Sequence, residues 1–348
     1  MAERWIEPLG LVTGPAAFHA VRSGAGLPLQ GGPAAFLLAR LIEEGSYRGV
    51  VPVPAVPEDW AGLLEPITRR PPPWAGLRTD RPLVMGILNV TPDSFSGDGL
   101  AADPEAAIAR GHVLLAAGAD ILDIGAESTR PGAEPVPAAE EIRRLLPVLR
   151  ALAPAAPVSV DTRNGATMAA ALEAGARIVN DVSALRHDGE AVRVLARHRA
   201  PVVLMHMLGT DPRGMQRDPR YGDVALEVAR FLRDRVETAE RLGIPRSAIA
   251  VDPGIGFGKT AEHNLALLDR LPLLAGLGCR ILVGASRKGF LGRIAGEPEA
   301  GRRLAPSLAA ALAAAARGAS ILRVHDVAET AQALRVWEAC ASSVAPPP

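Results

Sequence analysis

The chain has 348 residues, 38 of them lysine or arginine and 38 aspartate or glutamate, so its formal net charge is zero. That balance, with no basic block anywhere, gives no footing for nucleic acid or an anionic membrane surface as partner. No uninterrupted run of about 18 apolar residues occurs, and the opening "MAERWIEPLG" lacks the charged-then-apolar order of a secretion signal; the expectation is a soluble, cytoplasmic protein of one large domain or two modest ones. The two cysteines, Cys279 and Cys340, lie far apart and form no CxxC, so neither a disulfide framework nor a thiolate metal site is indicated. Lysine occurs only twice, as Lys259 and Lys288, each beside a glycine-rich turn where a compact, flexible ammonium suits an anion differently from arginine.

Residues 1–78 read as an N-terminal extension, small α/β or irregular, with apolar stretches ("GPAAFLLARLIEEG", "GVVPVPAV") and then the proline-rich "RRPPPWAG", an extended linker or wrap. Residues 79–343 follow as a second unit, and 344–348 as a disordered tail. Within that unit eight short apolar runs recur: LVMGILNV, DILDIGAES, PVSVDT, ARIVNDVS, PVVLMHM, AIAVDPG, CRILVGAS and SILRVHDV. Between them stand helix-compatible segments such as "AAEEIRRLLPVLRALA" and "VALEVARFLRDRVETAERLG", with apolar residues at three- and four-residue spacing. Strands apolar on both faces, each followed by a helix, argue for a parallel sheet covered by helices. Eight units in roughly 250 residues fit a closed α/β (β/α)8 TIM barrel better than an open sheet.

In such a barrel the active site lies at the C-terminal ends of the strands and in the loops that follow. Those positions hold Asn89, Asp123 and Glu127, Asp161, Asn180 and Asp181, His206, Asp252, Ser286, Arg287 and Lys288, and Arg323, His325 and Asp326. One polar strand end is commonly a satisfied core group; eight sets converging on one face require another explanation. Arg130, Arg287, Lys288, Arg323 and His325 suit a phosphate or pyrophosphate. Asp123, Asp161, Asn180 and Asp252 suit a ring edge bearing amide and amino donors. Both together ask for a heterocycle that carries a phosphate group. "GFGKT" imitates a nucleotide-binding loop, but the first glycine of that motif would fall on Pro253, so a nucleotide hydrolase is set aside.

At these residues the sequence resembles the dihydropteroate synthases. "MGILNVTPDSFS", "DIGAESTRPGA", "VSVDT", "IVNDVSAL", "LMHM", "DPGIGFGK", "GASRKGFLG" and "RVHDV" match that family's loops in order, from about Pro82 to the last helix. The resemblance implies an enzyme joining 6-hydroxymethyl-7,8-dihydropterin pyrophosphate to p-aminobenzoate, with magnesium as cofactor and release of pyrophosphate. It implies that Asp161, Asn180, Met205, Asp252, Gly284 and Lys288 hold the pterin. Asn89, Thr129, Arg323 and His325 would hold the pyrophosphate, Asn89 also serving the metal. Thr129, Arg130, Pro131, Phe257 and Ser286 would form the p-aminobenzoate side. Asp161, Asn89, Lys288, Arg323 and His325 would be the catalytic set, and a homodimer is the implied assembly. Two local departures are visible: "SFSGDG" stands where the family more often has "SFSDGG", moving Asp98 one place, and "LGTDPRGMQ" is one residue longer than usual. A pterin-binding methyltransferase would lack the "STRPG" and "SRKG" loops, and a degenerate, binding-only homologue would have lost loop or phosphate residues; neither loss is seen.

Overall fold

A strand buried on both faces gains from every aliphatic side chain along it, and this chain supplies such runs in quantity. The structure is a computed structural model and describes residues 2–77, 80–91, 103–127, 136–209, 215 and 218–342. It begins with β1 (Arg4–Val12), α1 (Gly14–Arg22), β2 (Leu27–Pro28), β3 (Ala35–Glu43), β4 (Ser46–Pro52) and the short α2 (Leu64–Thr68). β3 pairs antiparallel with each of the other three strands. Between β3 and β4, Glu44 and Gly45 both have positive φ, 49° and 79°, the two-residue turn whose twist matches the flanking strands.

The second unit runs β5 (Leu83–Asn89), α3 (Pro104–Ala116), β6 (Ile121–Gly125), α4 (Ala138–Leu152), β7 (Val158–Asp161), α5 (Gly165–Glu173), β8 (Ile178–Asp181) and α6 (Gly189–His198). It continues with β9 (Val202–Met205), α7 (Val224–Arg241), β10 (Ile249–Asp252), α8 (Ala261–Asp269), β11 (Arg280–Val283), α9 (Gly289–Ala295), α10 (Leu304–Ala315), β12 (Ile321–Val324) and α11 (Val327–Ser342). β5 to β12 pair in chain order, all parallel, and β12 closes on β5. The expected (β/α)8 barrel is therefore formed. Asp103, Asp188 and Asp223 cap the helices they precede, each accepting from backbone N–H groups of the first turn.

The extension shares the barrel's hydrophobic core through Trp5, Ile6, Phe36 and Ile42. Glu7, 1% exposed, is held between Arg40, at 3.0 Å, and Arg270 at the end of α8, at 2.8 Å. The proline-rich passage has a definite place. Trp74 is 1% exposed and packs with Leu83, Ile121, Ile178 and Ile321, the first residues of four barrel strands, so it stoppers the end of the barrel opposite the strand-end loops. Its indole N–H donates to the Ala248 carbonyl at 2.9 Å, which satisfies the one polar atom it buries.

Candidate active site

The strand ends bring carboxylates and cations into one buried cluster. Asp123, within β6, is 0% exposed. Its Oδ2 accepts from Arg323 Nε of β12 at 2.6 Å and from Asn180 Nδ2 of β8 at 3.1 Å. Arg323 Nη2 donates in turn to Asp161 Oδ2 of β7 at 2.8 Å. Gly125, paired with Asp161 in the sheet, leaves room for that carboxyl: a Cβ there would lie 3.3 Å from Asp161 Cβ. Asp123 Oδ1 is buried with no partner among the described residues. A buried acceptor left open costs about 1–3 kcal/mol, and a ligand donor would remove that cost.

On the other side of the ring stands Asp252, at the end of β10 and 5% exposed, with Oδ1 accepting from Gly254 N at 2.7 Å. Burial pushes its carboxyl up to about 6. Gly254 has φ +67°, and a Cβ there would sit 1.9 Å from the His206 carbonyl oxygen, so no other residue allows this turn. Burial likewise raises Asp161, to about 7, against the pull of Arg323. Lys288 moves the other way: burial, with repulsion from Arg323, lowers its ammonium to about 8. Its Nζ lies 4.3 Å from the centre of the Phe257 ring, a cation–π contact that positions both side chains. Phe257 also packs on a buried cluster of Val182, Met205, Met207 and Met215, an apolar wall against which a flat ring can lie. Gly284 faces Arg323, whose Cβ would be 3.7 Å from a Cβ at that position.

His325, half-buried just past β12, has Nδ1 3.0 Å from Ser286 Oγ, and its backbone N–H donates to the same oxygen at 3.2 Å. Burial, together with Arg287, Arg323 and Lys288, lowers the imidazole to about 3, so it is neutral at pH 7. Arg287 is committed elsewhere, since its Nε and Nη2 reach Asp326 at 3.1 and 2.6 Å. Asn89 is half-buried at the end of β5. The structure thus brings Asp161, Asn180, Asp252, Lys288 and Arg323 together, with Ser286 and His325 at one edge and Met205 and Phe257 as a wall. Thr129, Arg130 and Pro131 lie outside the described residues, as do the loop segments 92–99 and 128–133, Asp98 within the first of them, and the tail 344–348.

Two groups deserve more weight than their sequence positions gave them. Asp123 was legible only as one acid among several, whereas it joins Arg323 to Asn180. Lys259, 4% exposed, donates to the Phe257 carbonyl at 3.0 Å and meets His206 Nδ1 at 2.9 Å. Burial lowers Lys259 to about 7 and His206 to about 2, so the neutral imidazole is the acceptor. The pair ties the loop after β10 to the end of β9 and thereby fixes Phe257.

A parallel barrel with acids, an amide and an apolar wall at its strand ends is the architecture of a pterin binding enzyme, and the sequence profile of the family so described matches residues 85–325. The dihydropteroate synthase of Neisseria meningitidis serogroup C is 49% identical over 265 residues, which cover 75% of this chain and 93% of that protein. Among solved structures, the Xanthomonas albilineans dihydropteroate synthase with 4-aminobenzoic acid is 50% identical, with a TM-score of 0.69 over 75% of this chain and 93% of that one. The same enzyme in complex with 7,8-dihydropteroate aligns over 76% and 94%, with 47% identity and a TM-score of 0.66. This chain belongs to the dihydropteroate synthase family, the transferases of folate biosynthesis.

Proposed function

We propose that the protein condenses 6-hydroxymethyl-7,8-dihydropterin pyrophosphate with p-aminobenzoate, giving 7,8-dihydropteroate and pyrophosphate, and that its strand-end residues divide the work as follows. Asp123, Asp161, Asn180 and Asp252 receive the amino and amide donors of the pterin edge, with Met205 and Gly284 flanking the ring and Lys288 donating to it. The observation that carries this is the buried Oδ1 of Asp123, beside Asn180 and Asp161 and without a partner among the described residues, a fixed acceptor open to a ligand donor. Asn89, Thr129 and His325 hold the pyrophosphate with Arg323. Since Arg323 spans Asp123 and Asp161 here, it stands between the pterin and phosphate regions and serves both. Thr129, Arg130, Pro131, Phe257 and Ser286 form the p-aminobenzoate side.

The C–O bond to pyrophosphate breaks, its electron pair leaving with the phosphate oxygen. Arg323, Lys288 and the Nε2–H of His325 stabilise that departing charge. The pterin-methyl carbon left electron-poor is stabilised by the ionised Asp161 carboxyl, and the aniline nitrogen of p-aminobenzoate attacks it. The new C–N bond forms as the nitrogen sheds one proton to solvent; the amine is neutral at pH 7, so no strong protein base is needed. Asn89 would offer magnesium its side-chain amide oxygen beside the pyrophosphate. Among the described residues no group of three acidic, histidine or cysteine side chains could hold a metal, and a single amide oxygen, that of Asn89, with phosphate oxygens and waters is a donor set magnesium accepts. When bound it would neutralise pyrophosphate charge.

We further place the protein in the cytoplasm as a homodimer, on the family resemblance; no helix among the described residues is long and apolar enough to cross a membrane. The direct test is pyrophosphate release from purified protein with the dihydropterin pyrophosphate and magnesium, with and without p-aminobenzoate. Sustained release that requires p-aminobenzoate and yields dihydropteroate is expected. Pterin binding without any release would refute the proposed reaction, and light scattering of the same sample tests the dimer.

A further inference from the structure

The extension and the barrel meet along a seam remote from the reacting groups. Between α1 and α11 the seam opens as a cleft of about 520 Å3. An adjoining inner cavity of about 60 Å3 shares Pro33, Asp80, Arg81 and Trp337 with it and reaches the start of β11. Arg280 lines that inner cavity and is only 3% exposed. Its Nη2 donates to the carbonyl oxygens of Pro72, at 2.7 Å, and Pro71, at 3.3 Å. Its Nε is buried with no partner among the described residues.

Burial lowers this guanidinium to about 10, and it makes no ion pair among the described residues, although Asp80 lines the same cavity and Glu338 the outer cleft. Neighbouring polar groups of the inner cavity are already engaged. Arg81 forks onto Asp120 at 2.9 and 2.6 Å, and the Gln30 amide donates to the Cys279 carbonyl at 3.0 Å. A buried cation without an anion is expensive, and a planar guanidinium recovers most from an oxyanion that accepts along its N–H directions. The outer cleft is walled by Ala17, Phe18, Val21 and Trp337, so the body of an organic anion has an apolar surface to cover.

We propose that this seam is a second binding site, for a small oxyanion, a carboxylate or a phosphate group, gripped by Arg280 from the inner cavity. The family match begins at residue 85, whereas one wall of the cleft is the extension. The site is thus a property of a chain that carries both units.

Tryptophan emission provides the readout. Trp337 lines the cleft and the inner cavity, whereas Trp5, Trp60 and Trp74 line neither of them, so Trp337 is the reporter of the seam and Trp337→Phe, which should remove the response, is the control. The full chain is titrated, in buffer low in chloride, with inorganic phosphate and separately with benzoate. A saturable change in emission is expected for at least one of them. Tighter benzoate binding identifies an organic carboxylate that fills the outer cleft, and tighter phosphate binding identifies a phosphate group. Arg280→Lys, which keeps the charge but loses the fork, should raise the half-saturation concentration about tenfold or more. Arg280→Met should abolish the change; if circular dichroism shows that variant unfolded, the lysine variant decides alone. No saturable response to either anion, or an unchanged half-saturation in Arg280→Lys, overturns the proposal.

Discussion

Asp123→Asn is the most informative single change, because it preserves shape while removing the charge at the hub of the cluster. In the parent, Oδ2 holds Arg323 at 2.6 Å and Asn180 at 3.1 Å, while Oδ1 has no partner among the described residues. A hydrogen bond to a charged group contributes about 1.5–3 kcal/mol, and satisfying a buried open acceptor about 1–3 kcal/mol. Asparagine presents an N–H where one of these acceptors stood, so it meets either the guanidinium or the ligand donor with the wrong polarity. Taking only the ligand contact, about 1–3 kcal/mol, pterin affinity should fall about 5- to 150-fold. The fold should lose less than this removal of charge suggests, since Arg323 keeps Asp161 at 2.8 Å. Calorimetric titration with 6-hydroxymethylpterin, which carries no phosphate, isolates the ring contact, and urea unfolding follows stability. A folded variant that binds this pterin within about threefold of the parent, under 1 kcal/mol, would show that Oδ1 faces no ligand donor and refute the reasoning.

Asp161→Asn should lower kcat by about 100-fold or more, the scale of a lost charge-stabilising group, with a far smaller change in KM for p-aminobenzoate; steady-state kinetics with each substrate varied separates the two. His325→Ala should weaken pyrophosphate about tenfold while binding of the phosphate-free pterin stays unchanged, so equal losses for both ligands in competition titrations would remove it from the phosphate site. Trp74→Ala empties the stopper of the barrel and should cost about 3–5 kcal/mol by urea unfolding, with KM values retained, because the strand ends lie at the opposite mouth. His206 and His325 are held by burial at about 2 and about 3, below their ordinary 6.5. The unfolded chain therefore takes up protons below about pH 6.5 that the folded chain refuses, and their stabilising contribution, full above that pH, is lost as pH falls toward 3. The slope of stability with pH between 6.5 and 4, in that sense, should be reduced in His325→Gln.

The barrel was legible because its evidence is local and repeated. Each of β5 to β12 is a short aliphatic run, and the residue that ends or follows it, Asn89, Asp161, Asp252 or His325, is polar where a parallel strand leaves the core. What stayed hidden depends on partners distant in sequence. "RRPPPWAG" has the composition of a linker, and nothing in it says that Trp74 will find the first residues of strands that begin up to Ile321. β1 was obscured by Pro8 and Gly10, which break strand patterning; the sheet tolerates the proline because β1 pairs only with β3 and is an edge. Arg287 looked like an anion ligand by type and neighbourhood, yet its bidentate pairing with Asp326 commits it to the framework. Residue type identifies what a group can bind. Only the fold decides whether that capacity is already spent.

That distinction explains the electrostatic pattern of the site. Spent groups such as Glu7, Asp120 and Asp326 lie in forked arginine pairs, where charge meets charge at hydrogen-bond distance. The groups proposed to meet substrate are held less completely: Asp123 and Asp161 share the single Arg323, one N–H each, and Asp252 accepts from a backbone N–H. Burial drives Asp252 to about 6 and Asp161 to about 7 from below, and Lys288 to about 8 from above, so the free site holds acids and a base whose charges are only loosely sustained. Donors on a pterin edge would favour the ionised carboxyls, and a pyrophosphate would favour the ammonium of Lys288 and protonation of His325. Each half of a phosphorylated heterocycle thus relieves the desolvation borne by one set of side chains, and neither half alone relieves both. A site built this way selects for the two chemistries in one molecule.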